Sequence, residues 1–148
     1  MSYLDLSVIV LVGWLIGVEL AVSIFVNPVL RRMNFQSQGQ AISMFAARLG
    51  KAMPFWYSAC FVLLIAEAVL RRHQPGASLL YIACGIWAAV ILVTLVLLVP
   101  INNRLIRVAA VDFSEEAQRE HRTWDTRHRF RVAALAIAML CALIAIHG

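Results

Sequence analysis

The chain has 148 residues, of which 62% are hydrophobic and only 14% charged, with a formal net charge of +5. So few charges fall well below the quarter or so expected of a soluble domain. One compact membrane-embedded domain over residues 1–148 is expected, and anionic headgroups explain the positive charge without a nucleic-acid partner.

Four apolar runs, at residues 6–26, 52–70, 78–99 and 130–146, each approach the roughly 20 residues a helix needs to cross a bilayer. The first is preceded by Asp5 and no basic residue, is too long for a signal-peptide core, and ends at Asn27-Pro28 without a small-x-small cleavage site. It is expected to be retained as a span. Within it Gly13 and Gly17 form a Gly-xxx-Gly pair, which lets another backbone approach. Glu19, Ser23 and Asn27 follow at i, i+4 and i+8 as a polar stripe. An ionised carboxylate at Glu19 is strongly disfavoured in an apolar setting, so either a protonated acid or a partner on a neighbouring helix is expected.

In the first connection, Ser37 followed by Gln40 has the form of a capping box, and Ile42, Phe45, Ala46 and Leu49 recur at helical spacing. This predicts a short amphipathic helix lying on the inner membrane surface. Pro54 then falls in the first turn of span two, where its missing N–H is tolerated. Near the far end of that span Glu67 has Arg71 at i+4, a structural ion pair. Cys60, Cys84 and Cys141 lie inside apolar runs with no Cys-x-x-Cys spacing, as small buried side chains do.

The second connection has no Gly or Pro between residues 114 and 147. Ser114 can cap, Glu115 and Glu116 suit a helix start, and Glu115/Arg119 and Asp125/Arg129 are favourable i,i+4 pairs. One helix of about 34 residues, roughly 50 Å long, is predicted, projecting past the membrane. Span three is predicted to continue past Pro100, kinked there, to about Val111, so that the two form a cytoplasmic helical hairpin turning near Asp112-Phe113. The fold class is therefore an all-α four-helix membrane bundle with spans three and four extended. Counting outward from the turn sets Asn102, Asn103 and Arg104 beside Trp124, Arg127 and His128, and Trp124, Arg127, His128 and Arg131 share one helical stripe.

Taken singly these residues have ordinary uses: arginines snorkel to phosphates, a tryptophan anchors at the interface, asparagines cap a broken helix. Together they can hold an anionic or phenolic oxygen, or a cofactor edge, at the bilayer border. His73 and His147 fall at the outer surface and His121 projects into the cytoplasm, so a metal set of three or four ligands cannot be assembled around His128. Eleven of the 13 basic residues lie in or beside the two long connections, against Arg71 and Arg72 on the other side. The positive-inside rule puts both termini outside, in what is expected to be a bacterial inner membrane.

The Val99-Pro100-Ile101-Asn102-Asn103-Arg104-Leu105 stretch and the Trp124-x-x-x-His128-x-x-Arg131 stretch, in a four-span layout, resemble the DUF1772 or anthrone-oxygenase-like family of small membrane proteins. The resemblance implies a four-helix membrane bundle and, by analogy with fungal members, oxygenation of an anthrone-type polyketide to the anthraquinone. It makes Asn102, Asn103, Trp124, His128 and Arg131 the motif residues, to which the stripe on span one adds Glu19 and Asn27. The expected assignment is His128, or Glu19 deeper in the span, as the proton acceptor, with Asn103 and Arg131 stabilising the oxyanion and Asn27, Asn102, Asn103, Trp124 and Arg131 binding a hydrophobic aromatic or phenolic substrate at the inner boundary. Such chemistry needs no cofactor, although a haem or metal ion on His128 would equally give a redox role. A non-catalytic binding or transport bundle, or a structural subunit, is the alternative, and assembly with identical copies is expected.

Overall fold

The computed structural model describes residues 2–109 and 113–148. Four helices, α1 (Tyr3–Leu30), α2 (Phe35–Leu70), α3 (Ala77–Arg107) and α4 (Glu115–His147), are each long and apolar enough to cross a membrane, and the described residues contain no strand. With 28 to 36 residues apiece, they outrun a hydrocarbon core of roughly 30 Å. A third or less of each apolar window is buried inside the protein. Trp14, Phe25, Phe55, Leu92, Phe130 and Ile144 point outward. That much exposed apolar surface, on elements whose backbone bonds are satisfied within each helix, is the signature of lipid contact.

The half of the bundle that holds both chain termini is densely packed. Val8, Val12 and Leu15 of α1 meet Leu64 of α2, Leu80 and Trp87 of α3, and Leu135 and Ala138 of α4 in one buried cluster. Ala138, Ala142 and Ala145 keep α4 slim enough to close on its neighbours. The turn between α2 and α3 passes through Gly76 at φ +89°, where a Cβ would stand 3.2 Å from the Ala145 backbone. Glu67 pairs with Arg71 as expected, and Arg71 also binds Asp5 at 2.8 Å, locking α1 to α2. Gly13 and Gly17 are both exposed, with only Met139 within reach of a Cβ at Gly13.

The other half departs from the expectation in its first connection. No separate surface helix exists: α2 is one helix of 36 residues, capped by Asn34, whose side chain accepts from the Ser37 N–H. Ser37 is thus a recipient of the cap rather than the cap. Ile42 is buried with Leu30, Ile101, Leu105, Phe113 and Ala117. The extended ends of α3 and α4, and not a membrane surface, cover the apolar face of this segment. Pro54 accordingly sits mid-helix, where its missing N–H frees one carbonyl but does not end the helix.

The long α4 begins as predicted, with Ser114 accepting from Ala117 N–H, and α3 continues past Pro100. Arg104 with Glu120, the Leu97 carbonyl with Arg127, and Thr94 with Arg131 fix the antiparallel register of the pair. The predicted turn at Asp112 lies outside the described residues. Two π-helical turns, Val22–Val26 in α1 and Thr94–Leu98 in α3, flank the middle of the bundle. Each adds a residue to one turn and widens the helix locally, a feature that often marks functional sites.

Candidate functional site

Between the π turns the four helices enclose a cavity of about 270 Å³. Val18 and Val22 of α1, Leu49, Met53 and Tyr57 of α2, and Ile91, Leu98 and Asn102 of α3 form its walls, and Trp124, His128 and Arg131 of α4 close one side. Its rim at Pro54, Ser58, Leu95 and Val99 is exposed, so the cavity opens sideways between α2 and α3 toward the lipid-facing surface. Gly50 lets the helices close beneath it: a Cβ there would stand 3.3 Å from the Asn102 amide.

The polar centre is Glu19, 3% exposed, beside His128, 1% exposed. Arg131 Nη2 donates to Glu19 Oε2 at 2.5 Å, and His128 Nδ1 lies 3.1 Å from the same oxygen. His128 Nε2 is 3.1 Å from the Glu19 backbone carbonyl. A carbonyl only accepts, so Nε2 carries the proton, and Nδ1 accepts from Arg131 Nη2 at 3.0 Å. The carboxylate thus has the neighbouring-helix partner its burial demanded, and the pair is neutral as a unit. Arg131 is the donor to Oε2, and among the described residues no side chain donates to Oε1 in hydrogen-bond geometry. The Trp124 ring stacks on His128 at 4.8 Å and 10°, and His121 stacks at 6.1 Å from the same indole. His121, Trp124 and His128 thus stack in order along α4, with the imidazole of His128 at the cavity.

Of the residues expected at the site, Glu19, Asn102, Trp124, His128 and Arg131 line this cavity. Asn102 donates to the Ala46 carbonyl at 3.4 Å, which ties α3 to α2 at the cavity floor. Asn27 is buried but is not at the cavity: it donates to Asp125 Oδ1 at 2.5 Å and lines a smaller void of about 50 Å³ below. That void shares Val22, Leu49, Asn102 and Trp124 with the larger one. Asn103 is exposed and lines neither, because one residue turns a helix by about 100° away from Asn102. Arg127 leaves the expected stripe for the Leu97 carbonyl at 3.4 Å on the outer face, and Arg104 turns to Glu120. Arg129, half-exposed, reaches Asp125 at 3.4 Å as expected.

Three residues escaped the sequence reading. Asp125 is 1% exposed and joins Asn27, Arg31 and Arg129, so it is the hub between α1 and α4 and not a surface pair. His121 is buried against Trp124, although it lies in the segment expected to project into solvent. Its i+3 spacing to Trp124 was the available signal. Tyr57 is buried beneath the Arg131 guanidinium, 5.4 Å from the ring centroid. A tyrosine in mid-span with Ser58 beside it was the only hint. Among the described residues no three of His, Cys, Asp and Glu converge. His128 has one nitrogen on a backbone carbonyl and the other on Arg131, with Trp124 on its face. These residues do not fit a haem or metal ion at His128.

A membrane four-helix bundle holding a buried carboxylate, guanidinium and imidazole beside a laterally open cavity is the class that this fold and site define. The family described as anthrone oxygenase matches residues 42–141, and the chain belongs to it. The match spans Tyr57, Asn102, Trp124, His128 and Arg131, and stops short of Glu19 and Asn27. No curated protein and no solved structure matches the chain.

Proposed function

We propose that the cavity binds a hydrophobic aromatic molecule with an acidic oxygen or an adjacent acidic carbon, and that the protein oxygenates it with O₂. The observation that carries this reading is the ionised Glu19–Arg131 pair opening into an apolar chamber, in a chain of the anthrone oxygenase family. The chamber is at the small end of ligand pockets, which run from roughly 300 Å³ upward, and suits a compact fused-ring ligand. Its mouth between α2 and α3 gives such a ligand a path from the lipid.

For an anthrone, the enol tautomer places its proton on oxygen, and Glu19 Oε1 takes it while Arg131 donates to Oε2. The resulting anion is delocalised over the rings. It passes an electron to O₂, and the two radicals join at the ring carbon opposite the oxygen to give a peroxide. The proton returns from Glu19 to the peroxide, and loss of the remaining C–H proton expels water. The balance is CH₂ + O₂ → C=O + H₂O: two C–H bonds and the O–O bond break, one carbonyl and the two O–H bonds of water form, and O₂ is the four-electron oxidant. The apolar walls exclude water from the anion and strengthen its attraction to Arg131.

The arginine-rich end then faces the cytoplasm and both termini lie outside, so a reporter fused at Gly148 is active only on the outer side. Purified protein in lipid discs, given anthrone and O₂, is expected to consume one O₂ per anthraquinone formed. Binding without O₂ uptake would reduce the reading to a ligand-binding bundle, and an absence of binding would remove it.

A further inference from the structure

We infer that Tyr57 Oη and Arg131 Nε form the oxygen-recognition element of the cavity, donating two hydrogen bonds to a phenolate, enolate or carbonyl oxygen of the ligand. The inference rests on the proposed binding of an aromatic oxygen compound and assigns the donors that read its oxygen. Both atoms are fully buried and neither has a hydrogen-bond partner. Both residues line the same cavity, and the guanidinium lies over the Tyr57 ring. A buried donor without an acceptor costs about 1–3 kcal/mol, so two of them on residues lining one chamber favour a ligand that brings an acceptor.

Everything around the two donors fixes their direction. The Tyr57 ring packs against Trp87 at 5.8 Å, and the Trp87 indole N–H donates to the Tyr57 carbonyl at 3.1 Å. The Arg131 guanidinium spends Nη2 on Glu19 and His128 and one N–H of Nη1 on Thr94, which leaves Nε as its nitrogen without a partner. The Glu19 carboxylate is close enough to be the hydroxyl's own acceptor after a small shift, but the hydroxyl is not aligned on it and is left open to a ligand oxygen. An oxygen placed against these donors therefore sits next to Glu19 as well, where its proton can leave. Donors without acceptors select an oxygen bearing lone pairs and reject a bare hydrocarbon ring.

The test uses 2-naphthol and its oxygen-free parent naphthalene as probes, titrated by fluorescence into the full-length protein in lipid discs, with protein-free discs subtracted. Wild-type protein is expected to bind 2-naphthol at least about tenfold more tightly than naphthalene, each tenfold corresponding to about 1.4 kcal/mol. It should also lower the pH at which the bound naphthol ionises. Tyr57→Phe keeps the ring and removes only the hydroxyl. It is expected to lose about tenfold for 2-naphthol and nothing for naphthalene, to raise the ionisation pH of the bound probe, and to melt no lower than wild type.

Unchanged binding of 2-naphthol by Tyr57→Phe overturns the inference and leaves the proposed function standing. Equal losses for both probes, or a lowered melting temperature, overturn it too, because the hydroxyl would then serve packing and not recognition. Failure of the wild type to bind either probe overturns both.

Discussion

The two halves of this bundle are built from the same four helices and solve opposite problems. Toward the chain termini, valine, leucine and alanine side chains interlock around Trp87, and polar groups are confined to the Asp5–Arg71–Glu67 latch at the end. Toward the arginine-rich end, Glu19, Ser23, Asn27, Gln38, His121, Asp125 and His128 are all buried. There the helices carry both π turns and both mid-helix prolines, Pro54 and Pro100. Lipid offers no hydrophobic drive for helix association, so one half coheres by close packing and the other by paired charges and hydrogen bonds. The closed half fixes the helix axes, and the polar half can then be held apart around a cavity.

Substitutions should separate these roles, and the largest effect belongs to the closed half. Trp87→Ala removes the largest fully buried side chain and its bond to the Tyr57 carbonyl, and is expected to cost about 4 kcal/mol in unfolding by detergent titration. A cost below about 1 kcal/mol would mean the packing there is loose and the contrast unfounded. Asp125→Ala breaks the hub of the other half and strands Asn27 and Arg31, with an expected loss of about 3 kcal/mol. Arg31 is 39% exposed and can rehydrate, which is why the loss should stay below that of Trp87.

Glu19→Gln and His128→Ala address chemistry instead of cohesion. Gln keeps an acceptor for Arg131, so the protein should still insert and melt near wild type while turnover falls at least about a hundredfold, near 2.7 kcal/mol of barrier. Full activity in both, or loss of expression in both, would make the Glu19–His128 contact a packing device. Gly50→Ala presses a Cβ against the Asn102 amide and should weaken ligand binding by roughly tenfold or less, about 1 kcal/mol, with stability nearly unchanged. Arg129→Ala is the smallest change. Its side chain is half-exposed and holds Asp125 only at 3.4 Å, so an effect under about 0.5 kcal/mol on melting and none on turnover is expected.

The spans, the long fourth helix and its hairpin with the third were legible because they depend on local rules: apolar run length, an unbroken stretch free of Gly and Pro, and a capping serine. The register of that hairpin brought Asn102, Trp124, His128 and Arg131 together as counting suggested. The same rules misjudged residues 35–51, since a continuous helix through Pro54 is stabilised by partners on α3 and α4 that no local pattern displays.

What the sequence determined by itself is therefore the number of helices apolar enough to span a membrane and the costly groups within them, because burial in lipid penalises each polar side chain wherever its neighbours are. Only the tertiary structure decided how those costs are met. Helix rotation sends Asn103 and Arg127 outward while it turns Tyr57 and Asp125 in, and a rotation of about 100° per residue is set by packing against neighbours, not by spacing along the chain. Glu19 and Arg131 are 112 residues apart in the chain. Their pairing exists only because α1 and α4 lie side by side, and with it comes the one ionised centre that faces the cavity among the described residues.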